Sequence, residues 1–242
     1  QSVEAFTSAT SGVPPGRRRI ATLRQALDNL GAGRTYSARF CPPTQPGAPT
    51  GEWVLAANSD PDKRLLYVHG GGFVAGSPRS HRSITNALAE LTGMSVFSLD
   101  YRLVPEHRRM AGLDDTVGAF QWLAGQGPET ATTARFLAIA GDSAGGNLAL
   151  SAVQQLRDRG LRNADAVVAL CPSTDATMSS PSVRFNRTVD LMLGKSLAPL
   201  VAMPAPLRHL LLTLLGRMPH PHPTLAPPRG NLQALPPTLL QV

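Results

Sequence analysis

The chain has 242 residues, enough to bury one large core, and an α/β enzyme of this length is usually a single domain. With 42% hydrophobic and 5% aromatic residues it fits a folded globular protein rather than a disordered one, and 22 prolines with 22 glycines call for many turns. The net charge of +7 rests on arginine, since Lys63 and Lys195 are the only lysines; outside Arg17-Arg18-Arg19 and Arg108-Arg109 the arginines are scattered, which points to a solvated surface and to no nucleic-acid partner.

Residues 1–12 are polar and small and hold no apolar signal core, and the first residue is Gln rather than Met, so the true start is expected to be missing. Ile20, Leu23, Leu27 and Leu30 share one helical face, which predicts a helix over 20–30 stopped by Gly31. Cys41 to Gly51 reads as a Pro/Gly-rich loop. Four apolar runs then read as strands: 65–69, which ends in three glycines, 94–99, 136–140 and 165–170. Helices are expected between them: from His81 to Leu91, terminated by Gly93, around Leu113 to Leu123, and from about Gly145 to Arg159, closed by Gly160. Continuous apolar strands alternating with helices predict an α/β fold, with a mostly parallel sheet covered on both faces. Ligands of such folds gather at the carboxyl ends of the strands.

Two stretches stand outside this repeat, residues 1–50 and about 179–225, and both are expected as cap elements over the strand ends. Within the second, 205–216 reads equally as an amphipathic surface helix. No run approaches the roughly 18 apolar residues of a membrane span, so no stable membrane insertion is expected. Thr238 to Val242 looks like the start of a fifth buried strand with nothing after it to cover its edge. The single domain 1–242 is therefore expected to be incomplete, lacking C-terminal strand–helix units. Cys41 and Cys171 build no disulfide framework and have no metal-like spacing; a reducing, cytoplasmic setting without metal or cofactor follows.

The chemistry-bearing residues fall at strand ends. Gly141-Asp142-Ser143-Ala144-Gly145-Gly146 lies between a predicted strand and a predicted helix and fits G-x-S-x-G. A sharp strand-to-helix turn exposes the serine Oγ, flanking glycines relieve its crowding, and the helix N-terminus favours the negative charge that develops during attack. In His69-Gly70-Gly71-Gly72 the histidine ends the strand 65–69 and the three glycines directly follow it. A glycine run offers backbone N–H donors to an oxyanion without Cβ interference.

With these motifs the chain resembles the hormone-sensitive-lipase group of α/β-hydrolases, the bacterial family IV esterases. The matching residues are His69 to Phe73, Leu99 to His107 and Gly141 to Asn147, with weaker matches at Asp114-Asp115, Cys171-Pro172 with Asp175, and Leu235-Pro236-Pro237. The resemblance implies an α/β-hydrolase fold with a helical cap and Ser143 as nucleophile. It also implies an oxyanion hole from the N–H groups of Gly71, Gly72 and Ala144. His69 would order the glycine loop through its side chain, with Gly70, Asp142 and Gly145 as further supporting positions. Asp100, Arg102, Glu106 and His107 look like a polar network around the site; the residues alone are also compatible with a surface turn. Arg108-Arg109-Met110 departs from the Pro-rich stretch common in the group after Pro-Glu-His.

A serine hydroxyl needs a histidine to take its proton and an acid to orient that histidine. In this fold they follow the serine in the order acid, then histidine. The resemblance places both after Val242. Downstream of Ser143 the chain offers Asp158, Asp165, Asp175 and Asp190, with His209, His220 and His222. Asp190 with His220 keeps the order, but His220 and His222 sit in a Pro-rich string that reads as surface loop. The expected function is a serine carboxylesterase acting on small to medium acyl esters through an acyl-serine intermediate, with a small-molecule ester as its partner. A non-catalytic ligand-binding member of the same fold is the alternative, and this chain alone is expected to be inactive.

Overall fold

The computed structural model describes residues 16–175, 178, 180–190, 194–216 and 226–242. Seven strands form one sheet: β1 (Arg39–Cys41), β2 (Gly51–Leu55), β3 (Asp60–Val68), β4 (Met94–Leu99), β5 (Phe136–Asp142), β6 (Ala166–Leu170) and β7 (Thr238–Gln241). Their spatial order is β1-β2-β4-β3-β5-β6-β7. β2 runs antiparallel to both β1 and β4, and every pairing from β4 through β7 is parallel. The helices are α1 (Arg17–Asp28), α2 (Arg82–Thr92), α3 (Arg109–Gly125), α4 (Ala144–Asp158), α5 (Pro181–Phe185), α6 (Gly194–Ala202) and α7 (Ala205–Gly216).

Alternation along β3 shows why both faces of the sheet are covered. Leu66 and Val68 join a cluster with Phe97, Leu113, Phe120, Leu148 and Leu156, which brings in α3 and α4. Leu65 and Tyr67 point to the opposite face and pack with Val96, Ala138 and Ala89 of α2. All six residues of β4 are buried, the composition of a strand enclosed on both sides. One buried charge interrupts this pattern. Arg64 is fully enclosed, and its guanidinium donates to the carbonyls of Pro61 (2.7 Å), Leu123 (2.8 Å) and Thr132 (2.8 Å). Those acceptors offset the cost of burying the cation.

The expected α/β architecture is present, with four differences. Two additional strands, β1 and β2, frame the Pro/Gly connection at 42–50, so part of the stretch expected in a cap belongs to the sheet. Trp53 and Val54 of β2 are fully buried, which gives this short strand its anchor. Second, α1 starts at Arg17 and ends at Asp28, where the Asn29 N–H bonds Gln25 O at 3.1 Å; Leu30 and Gly31 lie in the turns that follow. Third, β7 forms on β6 at the expected place but is not buried: all four of its residues are exposed at the sheet edge. Fourth, Asp100, Arg102, Glu106 and His107 do not make one network, as the site geometry shows. Among the described residues no helix is long and apolar enough to cross a membrane.

Candidate active site

Parallel pairing places Val68 of β3 opposite Gly141 of β5. The segments that leave these strands, His69-Gly70-Gly71-Gly72 and Asp142-Ser143, therefore emerge side by side. Ser143 turns the chain from β5 into α4 with φ 49° and ψ −113°, a left-handed conformation for a non-glycine residue. Its N–H donates to Leu170 O at 2.9 Å, and its carbonyl accepts from Asn147 N at 3.1 Å and Ser173 N at 2.9 Å. The surrounding hydrogen bonds thus hold the strained turn in place. A Cβ on Gly145 would lie 1.9 Å from Val68 O and 2.6 Å from His69 O, so only glycine lets the first turn of α4 rest against the end of β3.

The glycine loop is a run of left-handed residues, Gly71 at φ 120°, Gly72 at 64° and Phe73 at 66°. Gly71 O accepts from Val74 N (3.2 Å) and Ala75 N (3.0 Å), and a Cβ on Gly71 would meet Ala75 O at 2.0 Å. Among the described residues the N–H groups of Gly71, Gly72 and Ala144 donate to no protein acceptor, and Ser143 Oγ makes no hydrogen bond. Ala144 is also the first residue of α4, where helix-terminal amides carry partial positive charge.

Asp142, beside the serine, joins the two segments. Its Oδ1 accepts from Gly70 N at 2.8 Å and from Tyr67 Oη at 2.7 Å, and lies 3.5 Å from His81 Nε2. Burial pushes this carboxyl up, but His81, Tyr67 and the Gly70 N–H outweigh it and hold it below the usual carboxylate range. His69 is fully buried, with Nδ1 2.7 Å from Gly70 O and its ring stacked on Tyr101 at 4.3 Å. Burial, with the neighbouring His81, pushes its pKa down to about 3, so the ring is neutral at physiological pH. Tyr101 Oη donates to His69 O at 2.9 Å and closes the base of the loop.

The four residues expected as one polar network go to separate partners. The Arg102 guanidinium and backbone N–H both clasp Asp115, the shortest contact being 2.6 Å. Glu106 takes a two-pronged contact from Arg24 of α1, at 2.8 and 3.0 Å, and that partner chiefly pushes its carboxyl down to about 2. The Asp100 carboxyl is raised by burial and by the charges of Asp28 and Glu52. His107 is exposed, and its N–H bonds Leu103 O at 2.9 Å. They stay apart because the turn between β4 and α3 fans its side chains outward to different elements. Arg24 also donates to Val74 O at 2.8 Å and Val104 O at 3.2 Å, which pins α1 onto both loops.

Tyr67, His81, Tyr101, Arg24 and Asn147 were not singled out as individual site residues by motif reading. Tyr101 and Asn147 fall within the matched stretches Leu99 to His107 and Gly141 to Asn147, and strand alternation turns Tyr67 to the face opposite Val68. The others reach the site from separate elements. His220 and His222 lie outside the described residues, and with them the Asp190–His220 pairing. Among the described residues no group of three His, Cys, Asp or Glu side chains could hold a metal ion.

A family model described by its alpha/beta hydrolase fold matches residues 65–242. The chain belongs to this α/β-hydrolase family. The hydrolase is 34% identical over 233 residues to an acetyl-hydrolase of Streptomyces hygroscopicus, an alignment covering 95% of this chain and 70% of that one. It is 40% identical over 121 residues to an ethyl acetate hydrolase of Pseudomonas putida, covering 50% of this chain and 38% of that one. Among solved structures, an esterase from the bacterial hormone-sensitive lipase family superposes with a TM-score of 0.79 at 29% identity, over 100% of this chain and 76% of that one. The hormone-sensitive-lipase-like α/β-hydrolase read from the motifs is borne out by the family match and by these relatives.

Proposed function

We propose that the protein is a serine carboxylesterase that hydrolyses small to medium acyl esters through an acyl-Ser143 intermediate. The observation that carries this reading is the juxtaposition of Ser143, in its left-handed turn, with the N–H groups of Gly71, Gly72 and Ala144, none of which has a protein acceptor among the described residues. Attack of Oγ on the ester carbonyl carbon forms a C–O bond and moves the carbonyl electron pair onto oxygen. The three N–H groups and the start of α4 hold that oxyanion; one such donor is typically worth about 10²–10³ in kcat. Collapse expels the alcohol, and water then cleaves the acyl-serine to release the acid and restore Ser143. Relatives named for acetyl and ethyl acetate hydrolysis support short acyl groups.

The serine proton needs a base. Among the described residues no histidine hydrogen-bonds Ser143: His69 is enclosed and neutral, and His81 faces Asp142 through Nε2 and Ser80 through Nδ1. We therefore place the base outside the described residues. In the full-length protein, Ser143→Ala is expected to abolish hydrolysis of p-nitrophenyl acetate, and unchanged turnover would overturn the reading. That no histidine among the described residues hydrogen-bonds Ser143 also favours a second reading, a ligand-binding member of the fold. That reading predicts saturable ester binding without product release.

A further inference from the structure

Where the chain departs from the Pro-rich stretch after Pro105-Glu106-His107, Arg109 opens α3 and turns inward. It is 8% exposed. Its Cζ lies 3.7 Å from the centroid of the Phe73 ring, and Nη2 donates to Asn147 Oδ1 at 3.3 Å. Phe73 is the left-handed residue directly after Gly72. Asn147 sits in the first turns of α4, where its N–H donates to Ser143 O and its side-chain Nδ2 donates to Ser173 O at 2.7 Å. The Ser173 N–H returns to Ser143 O at 2.9 Å. One side chain thus touches the end of the glycine loop and the helix that presents the serine.

Two features of this place disfavour a positive charge taken by themselves. Burial disfavours a cation, and it lowers the Arg109 pKa to about 10, which still leaves the group charged at neutral pH. Arg109 is also the first residue of α3, an end where the helix dipole repels positive charge. A methionine of similar length would avoid both costs. What it lacks is a planar cation for the ring face together with a directed N–H for Asn147.

We propose that Arg109 is a positioning residue that clamps Phe73, and with it the Gly71 and Gly72 N–H groups, at a set distance from Ser143. This rests on the esterase reading for its kinetic consequence but not for its structural one. In the full-length protein, Arg109→Met is expected to lower kcat on p-nitrophenyl acetate about tenfold with KM within about twofold, because oxyanion contacts tighten only in the transition state. Arg109→Lys should recover part of the loss. Phe73→Leu removes the ring from the other side of the same contact, and the double variant should be no slower than the worse single one. Independently of turnover, hydrogen exchange followed by mass spectrometry should quicken across residues 70–76 in Arg109→Met. If the wild-type protein hydrolyses no ester, the esterase reading fails while the exchange measurement still decides the clamp. Unchanged exchange at 70–76, additive kcat losses, or a raised KM with kcat intact would each overturn the proposal.

Discussion

Adding one methyl group at position 145 tests the geometry that joins the serine to the glycine loop. In Gly145→Ala the new Cβ would lie 1.9 Å from Val68 O and 2.6 Å from His69 O, where contacts under 3.0 Å essentially do not occur. Both obstacles are backbone atoms at the end of the central strand, so no rotamer change relieves them. The first turn of α4 and the end of β3 must separate by roughly 1 Å, an overpacking typically worth about 1–3 kcal/mol. For a chain of this size that corresponds to a Tm lower by roughly 3–10 °C. The parts that move apart carry Ser143 on one side and His69 to Gly72 on the other, so turnover should fall by about a hundredfold. Gly118→Ala is the matched control: the site is exposed in the middle of α3 and its added Cβ meets nothing within 4 Å. Loss of glycine's backbone freedom should there stabilise by about 0.5–1 kcal/mol and leave turnover unchanged. Differential scanning calorimetry with an ester assay reads both variants. A Gly145→Ala protein that melts at or above the wild type with turnover intact would refute the close approach of α4 to β3.

Two further outcomes follow from the charged and titratable groups. His69 has its folded pKa depressed from 6.5 to about 3, so its contribution is fully present above about pH 6.5 and is lost as pH falls toward 3, because the unfolded chain takes up the proton first. Urea unfolding should show wild-type stability converging on that of His69→Phe by about 1.4 kcal/mol per pH unit below 6.5, and parallel curves would contradict it. Arg24→Ala removes two contacts to loop carbonyls as well as the Glu106 pair, and should cost about 1–3 kcal/mol. Glu106→Gln should cost well under 1 kcal/mol, since that pair is half exposed and screened; equal losses in the two variants would show the ion pair to dominate.

The central sheet was readable because β3 to β6 are apolar runs long enough to require cover on both faces, and the intervening helices end near Gly93 and Gly160. β1 and β2 left no such trace. They span three and five residues, Pro42 follows the first and Gly51 opens the second, and β2 joins the sheet through β4, far along the chain. Ser143 and the glycine run could be located because backbone geometry limits which residues fit there. Arg109 could not, since an arginine reads as surface unless the ring and amide that enclose it are known. His81 meets Asp142 only because α2 packs against the sheet, and no periodicity encodes that meeting.

Three of the non-glycine residues with positive φ, Phe73, Ser143 and Cys171, stand just past the carboxyl ends of β3, β5 and β6, at 66°, 49° and 40°. An L-residue in this conformation costs roughly 1–2 kcal/mol relative to the right-handed form. Along this one rim of the sheet, selection for stability and selection for chemistry favour different residues. Glycine at 143 would relax the turn and also remove the only oxygen there able to attack an ester. The rim is therefore where a stabilised variant of this protein would be expected to lose its function first.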